Sequence, residues 1–215
     1  MPPEDFGGAR DILFCRHGET EWNRSRRIMG TLDVPLSETG RRQCERLGAM
    51  LQDLAIERIV SSPLARASET ARILSGLLDV EVSYDDDLEE VRFGCWQGKT
   101  YEEIFPDPVY VEFARDPVGC ATPGGETVRD VQRRGLAAVD RLTSDARTLV
   151  VSHGDLIRAT LCHFLALPLA EFRRLRIDNC SLSAVRIEEG RVEVKFLNVL
   201  PDPERVWDRL HWGRG

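Results

Sequence analysis

The residues of this chain best equipped for chemistry are Arg16-His17-Gly18 and, far along, His153-Gly154. Near neutral pH an imidazole can be nucleophile, proton carrier or hydrogen-bond donor. A guanidinium at the tip of an apolar run costs several kcal/mol unless something anionic meets it, so Arg16 implies an anion site. Each histidine follows a run with the length and composition of a buried strand, Ile12 to Cys15 and Leu149 to Ser152, and each precedes a glycine at which the chain can turn sharply. Ligands of open α/β sheets bind outside the carboxyl ends of the strands. Two strand-His-Gly junctions on one edge would aim two imidazoles at one pocket. Either histidine alone reads as well as a hydrogen-bonded structural residue; the adjoining arginine is what favours a reactive pair.

The elements that must position these residues follow from periodicity. Strands are predicted at about 11 to 15, Ile56 to Val60, Val80 to Tyr84 and 148 to 152. Ser37 is placed to cap a helix in which Cys44, Leu47, Leu51 and Leu54 recur at helical spacing. Ser62-Pro63 reads as another helix start, with Ser62 as cap, Pro63 at the first helical position, and Ala67, Ala71, Leu74 and Leu78 as the buried face. Arg66 then falls in the first turn, where free backbone N–H groups and the helix dipole already favour an anion. From 96 to 125 the chain is aromatic and proline-rich, with Tyr101, Phe105, Tyr110 and Phe113 spaced for two short helices and read as local core. Pro123 to Thr127 opens a helix whose apolar face is Val128, Val131, Ala138 and Leu142, slightly weakened by Gly135. A last helix, about Leu156 to Leu165, carries His163, read as structural. Ser181 to Ile187 and Val192 to Leu197 alternate around Glu189-Gly190, the pattern of a hairpin that closes the sheet with an antiparallel edge. The alternation of strands and helices is that of an α/β fold.

A chain of 215 residues suffices for one well-buried domain, and no repeat, low-complexity tract or linker divides 1–215. Its 42% apolar and 30% charged residues are ordinary for a globular protein. A net charge of −7 argues against a nucleic-acid surface, so the anion site must be local. The small basic cluster Arg24, Arg26 and Arg27 is either solvated surface or a substrate contact. No stretch reaches the roughly 18 apolar residues of a membrane span, and the first nine residues lack signal-peptide character. The expectation is a cytoplasmic enzyme for a small molecule, with no nucleic-acid or membrane partner; oligomeric state is not legible and a homodimer is left open.

Several blocks carry a resemblance. Arg16-His17-Gly18-Glu19-Thr20 with Trp22-Asn23 resembles the signature of the histidine phosphatase superfamily, the phosphoglycerate mutase-like proteins. The match continues in family order through Leu36 to Gly40, Ser61 to Ala67, Leu88 to Gly94 and Ser152-His153-Gly154, with a weaker echo at Asn179 to Ser183. The resemblance implies a three-layer α/β/α sandwich with a mostly parallel central sheet and an antiparallel edge, and makes residues 95–125 a variable insert that covers the active site. It implies that His17 attacks phosphorus and becomes a phosphohistidine, that Arg16, Asn23, Arg66, His153 and Gly154 meet the phosphate, and that a carboxylate serves as acid and base. The family pattern, set by Leu88, Phe93 and Gly94, aligns Glu90 rather than Glu89 with that carboxylate.

Chemistry constrains these roles. The attacking nitrogen of His17 must be neutral, and two guanidiniums nearby would lower its pKa; Glu90 must hold a proton near neutral pH, which the cationic pocket opposes and desolvation favours. No metal or other cofactor is expected, because no Cys/His or carboxylate constellation stands at ligand spacing. The six cysteines read as small buried residues of a reducing compartment. Cys180 precedes Arg186 by the six positions of cysteine-dependent phosphatases, but the intervening Ser-Leu-Ser-Ala-Val is a strand pattern without the glycines of a phosphate loop. Among three readings, a phosphomonoester hydrolase is preferred over a phosphoglycerate mutase and over a catalytically silent binding protein. From Arg92 to Gly125 three cations stand against five anions, a formal balance of −2 that suits a second phosphate poorly, and Trp96-Gln97-Gly98 and Pro123 to Thr127 look more like the phosphatase branch. The tail from Pro201, with Trp207, His211 and Trp212, departs from that branch, and no role for it is legible.

Overall fold

The computed structural model describes residues 9–142 and 146–201; Trp207, His211 and Trp212 of the tail lie outside them. In chain order the elements are β1 (Arg10–Arg16), α1 (Glu21–Arg24), α2 (Glu38–Leu51), β2 (Arg58–Ser61), α3 (Ala65–Leu78), β3 (Val82–Tyr84), α4 (Tyr101–Ile104), α5 (Pro108–Arg115), α6 (Val128–Asp140), β4 (Arg147–Ser152), α7 (Gly154–Phe164), β5 (Leu182–Glu188) and β6 (Arg191–Val199). The six strands form one sheet in the order β3-β2-β4-β1-β5-β6. The first four run parallel, and the β5–β6 hairpin adds the antiparallel edge. Its turn, Glu189-Gly190, has φ of +49° and +73°, the positive pair that a two-residue turn matched to strand twist requires.

The sheet is covered on both faces, which is why its central strands read as unbroken apolar runs. Ile12, Phe14 and Val150 pack with Val131 and Ala138 of α6 and Leu156 and Ile157 of α7. Leu13, Cys15, Leu149 and Val151 point the other way, onto Cys44, Leu47 and Leu51 of α2 and Ala67, Ala71 and Leu74 of α3. The result is a mixed α/β sandwich. The helix that follows β1 therefore lies on one face, and the helix that follows the adjacent β4 lies on the other. That is a topological switch point, where the carboxyl ends of two neighbouring strands leave a crevice between diverging connections. No helix among the described residues is long and apolar enough to cross a membrane.

One helix start differs from expectation. Ser62 and Pro63 precede α3, which begins at Ala65 after Leu64 with no side-chain cap. The Ser62 hydroxyl accepts Leu64 N–H at 3.3 Å, just before the helix, and the first amide of α3, Ala65 N–H, is met by Asp33 Oδ1 at 2.9 Å. The side chain of Arg66, rather than the amides of its helix, is thus what this element offers an anion.

The loop after β1 is held against the start of α2 by contact between backbones. Ser37 caps α2 through the Gly40 N–H at 3.0 Å, and a Cβ on Gly40 would stand 2.1 Å from the Glu19 carbonyl oxygen. Gly40→Ala should cost about 1–3 kcal/mol, since rigid backbone rather than a flexible side chain must give way. A urea titration checks this as a lowered midpoint with an unchanged slope.

Candidate active site

The last register pair of β1 and β4 is Arg16 with Ser152, and the His17 N–H extends the ladder to the Ser152 carbonyl at 2.9 Å. His17 and His153 are the next residue on each strand, so the two rings stand side by side with centroids 5.2 Å apart. His17 Nδ1 lies 2.7 Å from the Gly18 carbonyl oxygen. A carbonyl only accepts, so Nδ1 carries the proton and Nε2 keeps its lone pair. Burial, then Arg66 and Arg16, hold the imidazole well below its ordinary pKa against the weaker pull of that carbonyl. His17 is neutral, with one nitrogen pinned and the other available.

His153 precedes α7, and its Nε2 lies 2.8 Å from Ser62 Oγ. Burial, followed by Arg66, lowers this imidazole too. With the Ser62 hydroxyl donating to Nε2, the single ring proton sits on Nδ1, which is buried and has no protein partner.

The arginines show the same pattern. Arg16 Nη1 donates to the Ile177 carbonyl at 2.7 Å, and Arg66 donates through Nη1 to Leu32 O at 3.0 Å and through Nη2 to Gly30 O at 2.7 Å. Both Nε atoms are buried without a partner. Burial pushes Arg66 down to about 10, so it stays cationic at neutral pH. Asn23 completes the set. Its Oδ1 accepts from Thr20 N–H at 2.9 Å, Thr20 Oγ1 at 3.1 Å and Asn179 Nδ2 at 3.3 Å. Three donors on the oxygen turn the amide nitrogen outward.

Glu90, not Glu89, faces this group. Its carboxylate accepts Val91 N–H at 3.0 Å and meets the first amides of α7, Asp155 and Leu156, at 3.4 Å. Burial and then Asp155 raise its pKa, and these outweigh Val91 N–H, Arg66 and Arg16, which lower it. Glu89 turns away towards Arg92 at 3.8 Å. Arg134 of α6 braces the turn, donating to Asp87 O at 2.8 Å and Glu90 O at 3.0 Å while pairing with Glu126 at 2.7 Å, and Ser152 Oγ donates to Leu88 O at 2.7 Å.

Arg16, His17, Asn23, Arg66, Glu90 and Gly154 all line one cavity of about 260 Å³; His153 is not among its lining residues and adjoins it through the ring of His17. Arg26 and Arg27 of the basic cluster reach its wall, whereas Arg24 pairs with Glu21 on the surface. Tyr101, read as core, lines the cavity, as do Asp155 and Arg158. In the sequence Asn179 reads only as the start of a weak family echo and Ser62 only as a helix cap, and nothing singles out Arg134; the echo at Asn179, and Arg158 one helical turn beyond Gly154, are the usable signals. Cys180 lies in the core with its Sγ 3.5 Å from Cys44 Sγ, and the residues between it and Arg186 lead into and form β5, so no phosphate loop is built there. Among the described residues no group of three or more His, Cys, Asp or Glu could hold a metal ion.

Known proteins resemble this chain in sequence and fold. The family model of the histidine phosphatase superfamily (branch 1) matches residues 12–200. The chain belongs to that superfamily. A probable phosphoglycerate mutase GpmB of Yersinia pestis is 34% identical over 83% of this chain and 86% of its own. Among solved structures, a mycobacterial glucosyl-3-phosphoglycerate phosphatase in complex with VO3 superposes with a TM-score of 0.80 at 31% identity, over 88% of this chain and 99% of its own. YhfR of Bacillus stearothermophilus superposes with a TM-score of 0.82 at 32% identity, over 89% and 98%.

For this histidine phosphatase chain, the unmatched nitrogens of Arg16, Arg66 and His153 predict oxyanion binding that depends on the residues orienting them. Asn179→Ala and Ser62→Ala should each weaken inorganic phosphate or vanadate by about 3- to 10-fold, the loss of one oriented hydrogen bond. Calorimetric titration of each variant beside the parent measures it.

Proposed function

We propose that this protein is a phosphomonoester hydrolase that works through a phosphohistidine on a small phosphorylated metabolite and needs no metal. The observation that carries the reading is a neutral His17, its Nδ1 held by the Gly18 carbonyl, in a cavity also lined by Arg16 and Arg66, whose buried Nε atoms have no partner, with the ring of His153 beside that of His17. Phosphoryl transfer asks a protein mainly to position groups and neutralise charge on three equatorial oxygens. In this reading Arg16, Arg66, His153 and Asn23 hold those oxygens beside Gly154 at the start of α7. His17 Nε2 forms the bond to phosphorus as the ester oxygen leaves, and Glu90 gives that oxygen its proton. Water then attacks the phosphohistidine, Glu90 takes its proton back, and inorganic phosphate departs. The raised pKa of Glu90 supports its acid role. Residues 95–125, within a single domain of 1–215, would be the cover that admits the substrate, and a reducing cytoplasm suits the free cysteines.

Hydrolysis is favoured over isomerisation by the aromatic cavity that adjoins the phosphate site. It is built from Tyr101, Phe93, Trp96 and Tyr110, and the guanidinium of Arg26 stands 3.8 Å from Glu102 of the cover. The likeness to a phosphatase of a sugar-linked phosphoglycerate supports the same choice. A phosphoglycerate mutase is the second reading. Arg26 and Arg27 on the cavity wall favour it, and so does the name borne by the Yersinia relative.

Rapid quench with labelled substrate should trap an acid-labile, base-stable phosphoryl-enzyme in the parent and none in His17→Ala; label retained on that variant would move the nucleophile elsewhere. Glu90→Gln should lose about 100- to 10,000-fold, roughly 3–5 kcal/mol, on alkyl phosphates and far less on a nitrophenyl ester. The pH profile follows from the two shifts. Activity falls as pH drops through the lowered pKa of His17, because the nucleophile protonates, and falls as pH rises through the raised pKa of Glu90, because the acid is lost. On an alkyl phosphate, Glu90→Gln should abolish the alkaline limb and leave the acid limb in place. Turnover should survive dialysis against a chelator. Efficient isomerisation of 3-phosphoglycerate, with negligible phosphate release from any of a panel of esters, would replace the hydrolase reading with the mutase one.

A further inference from the structure

The phosphate cavity has an immediate neighbour. Ile28, Phe93, Tyr101, Asp155 and Arg158 line it and also line a second cavity of about 310 Å³, a volume at the lower end of small-molecule sites. Aromatic rings dominate the second space. Trp96 meets Phe113 edge-to-face at 5.5 Å and Tyr110 at 5.8 Å. Three charged residues reach it, and two are matched. Arg158 Nη1 donates to Asp155 Oδ1 at 2.6 Å, and its Nε donates to Leu175 O at 2.8 Å.

Arg173 is different. It lines the second cavity but not the first. Its guanidinium lies over the rings of Phe113 at 5.3 Å and Phe172 at 5.4 Å, and among the described residues no carboxylate pairs with it. Arg173 is exposed, and with its Cζ over two ring faces its N–H groups are left to water or a ligand. Asp155, Arg158 and Arg173 give the cavity a formal charge of +1, which one carboxylate would neutralise and a phosphate dianion would overshoot.

We propose that this second cavity receives the alcohol half of the substrate, and that this half is a flat, unsaturated or aryl body bearing a single carboxylate, which Arg173 binds through its N–H edge. The proposal rests on the phosphomonoesterase reading for its use in catalysis. Ring faces and edges favour a flat partner, and a planar guanidinium suits the two oxygens of a carboxylate. Arg173 is then a specificity determinant that stands apart from the reacting atoms.

The test compares 4-carboxyphenyl phosphate with 4-carbamoylphenyl phosphate, which share shape and differ in charge. Two readouts are taken: kcat/KM for the parent, and calorimetric Kd for His17→Ala, which can bind without turning over. The carboxylate ester should be preferred about tenfold in both, the scale of a hydrogen-bonded charge pair in a partly wet site. Arg173→Gln should bring the ratio close to one, and Arg173→Lys should keep part of it. Because the ratio is internal to each variant, it is not confused by a general loss of activity or by the attraction of any anion to Arg16 and Arg66. Against His17→Ala, 4-carboxyphenyl phosphate should also bind more tightly than its saturated cyclohexyl counterpart. An equal or inverted ratio in the parent, a ratio that Arg173→Gln leaves unchanged, or equal binding of the saturated ester would overturn the proposal. If nitrophenyl phosphate is not hydrolysed while the binding preference persists, the hydrolase reading falls and the subsite stands. If nitrophenyl phosphate is hydrolysed and the ratio is one, the subsite falls alone.

Discussion

Two guanidiniums, half-buried Arg16 and buried Arg66, stand at the end of the sheet with backbone carbonyls as their hydrogen-bond partners and, among the described residues, no ion pair to a carboxylate. Carbonyl dipoles offset part of the cost of burying a cation, but they carry no net charge, and a positive potential is left in the cavity. That potential sets the state of its neighbours. With burial it keeps both imidazoles neutral, and it opposes the raised pKa of Glu90. Stability alone would favour a carboxylate between the arginines. Leaving that place open to solvent and ligand is what makes the site hungry for an anion.

The geometry that holds this charge is economical. One parallel strand pair, β1 with β4, carries Arg16, His17 and His153 in consecutive register, so a single ladder aligns nucleophile and partner ring. Residues from distant segments finish the site by orienting groups already present. Ser62 fixes one ring, Asn179 turns one amide outward, and Arg134 clamps the turn bearing Glu90. Each acts through one or two hydrogen bonds, and such bonds leave no periodic or compositional trace in the chain.

The cover is where charge counting and folding part company. The segment from Arg92 to Gly125 is acidic on balance, yet Arg26 and Arg27, from the loop before α2, reach the cavity wall. Formal charge within a segment therefore underestimates the cations near the site. It still describes the adjoining cavity, where aromatic side chains outnumber charges and Arg158 is tied to Asp155.

What the sequence by itself determined was local and strongly patterned. The buried strands ending in His17 and His153, the helices faced by Cys44, Leu47 and Leu51 or by Val128, Val131 and Ala138, and the Glu189-Gly190 hairpin are all repeating or turn-forming signals that short windows carry. The motif order placed Arg66, Asn23 and Glu90 as candidates, and all three line the cavity with Arg16 and His17. Tertiary structure decided whatever depends on convergence. It moved the start of α3 past Ser62, whose hydroxyl meets both Leu64 N–H and His153 Nε2. It turned part of an aromatic stripe from core into cavity wall at Tyr101, and it settled the direction of the Glu90 shift, because desolvation and neighbouring charge are properties of the folded surroundings rather than of the residue.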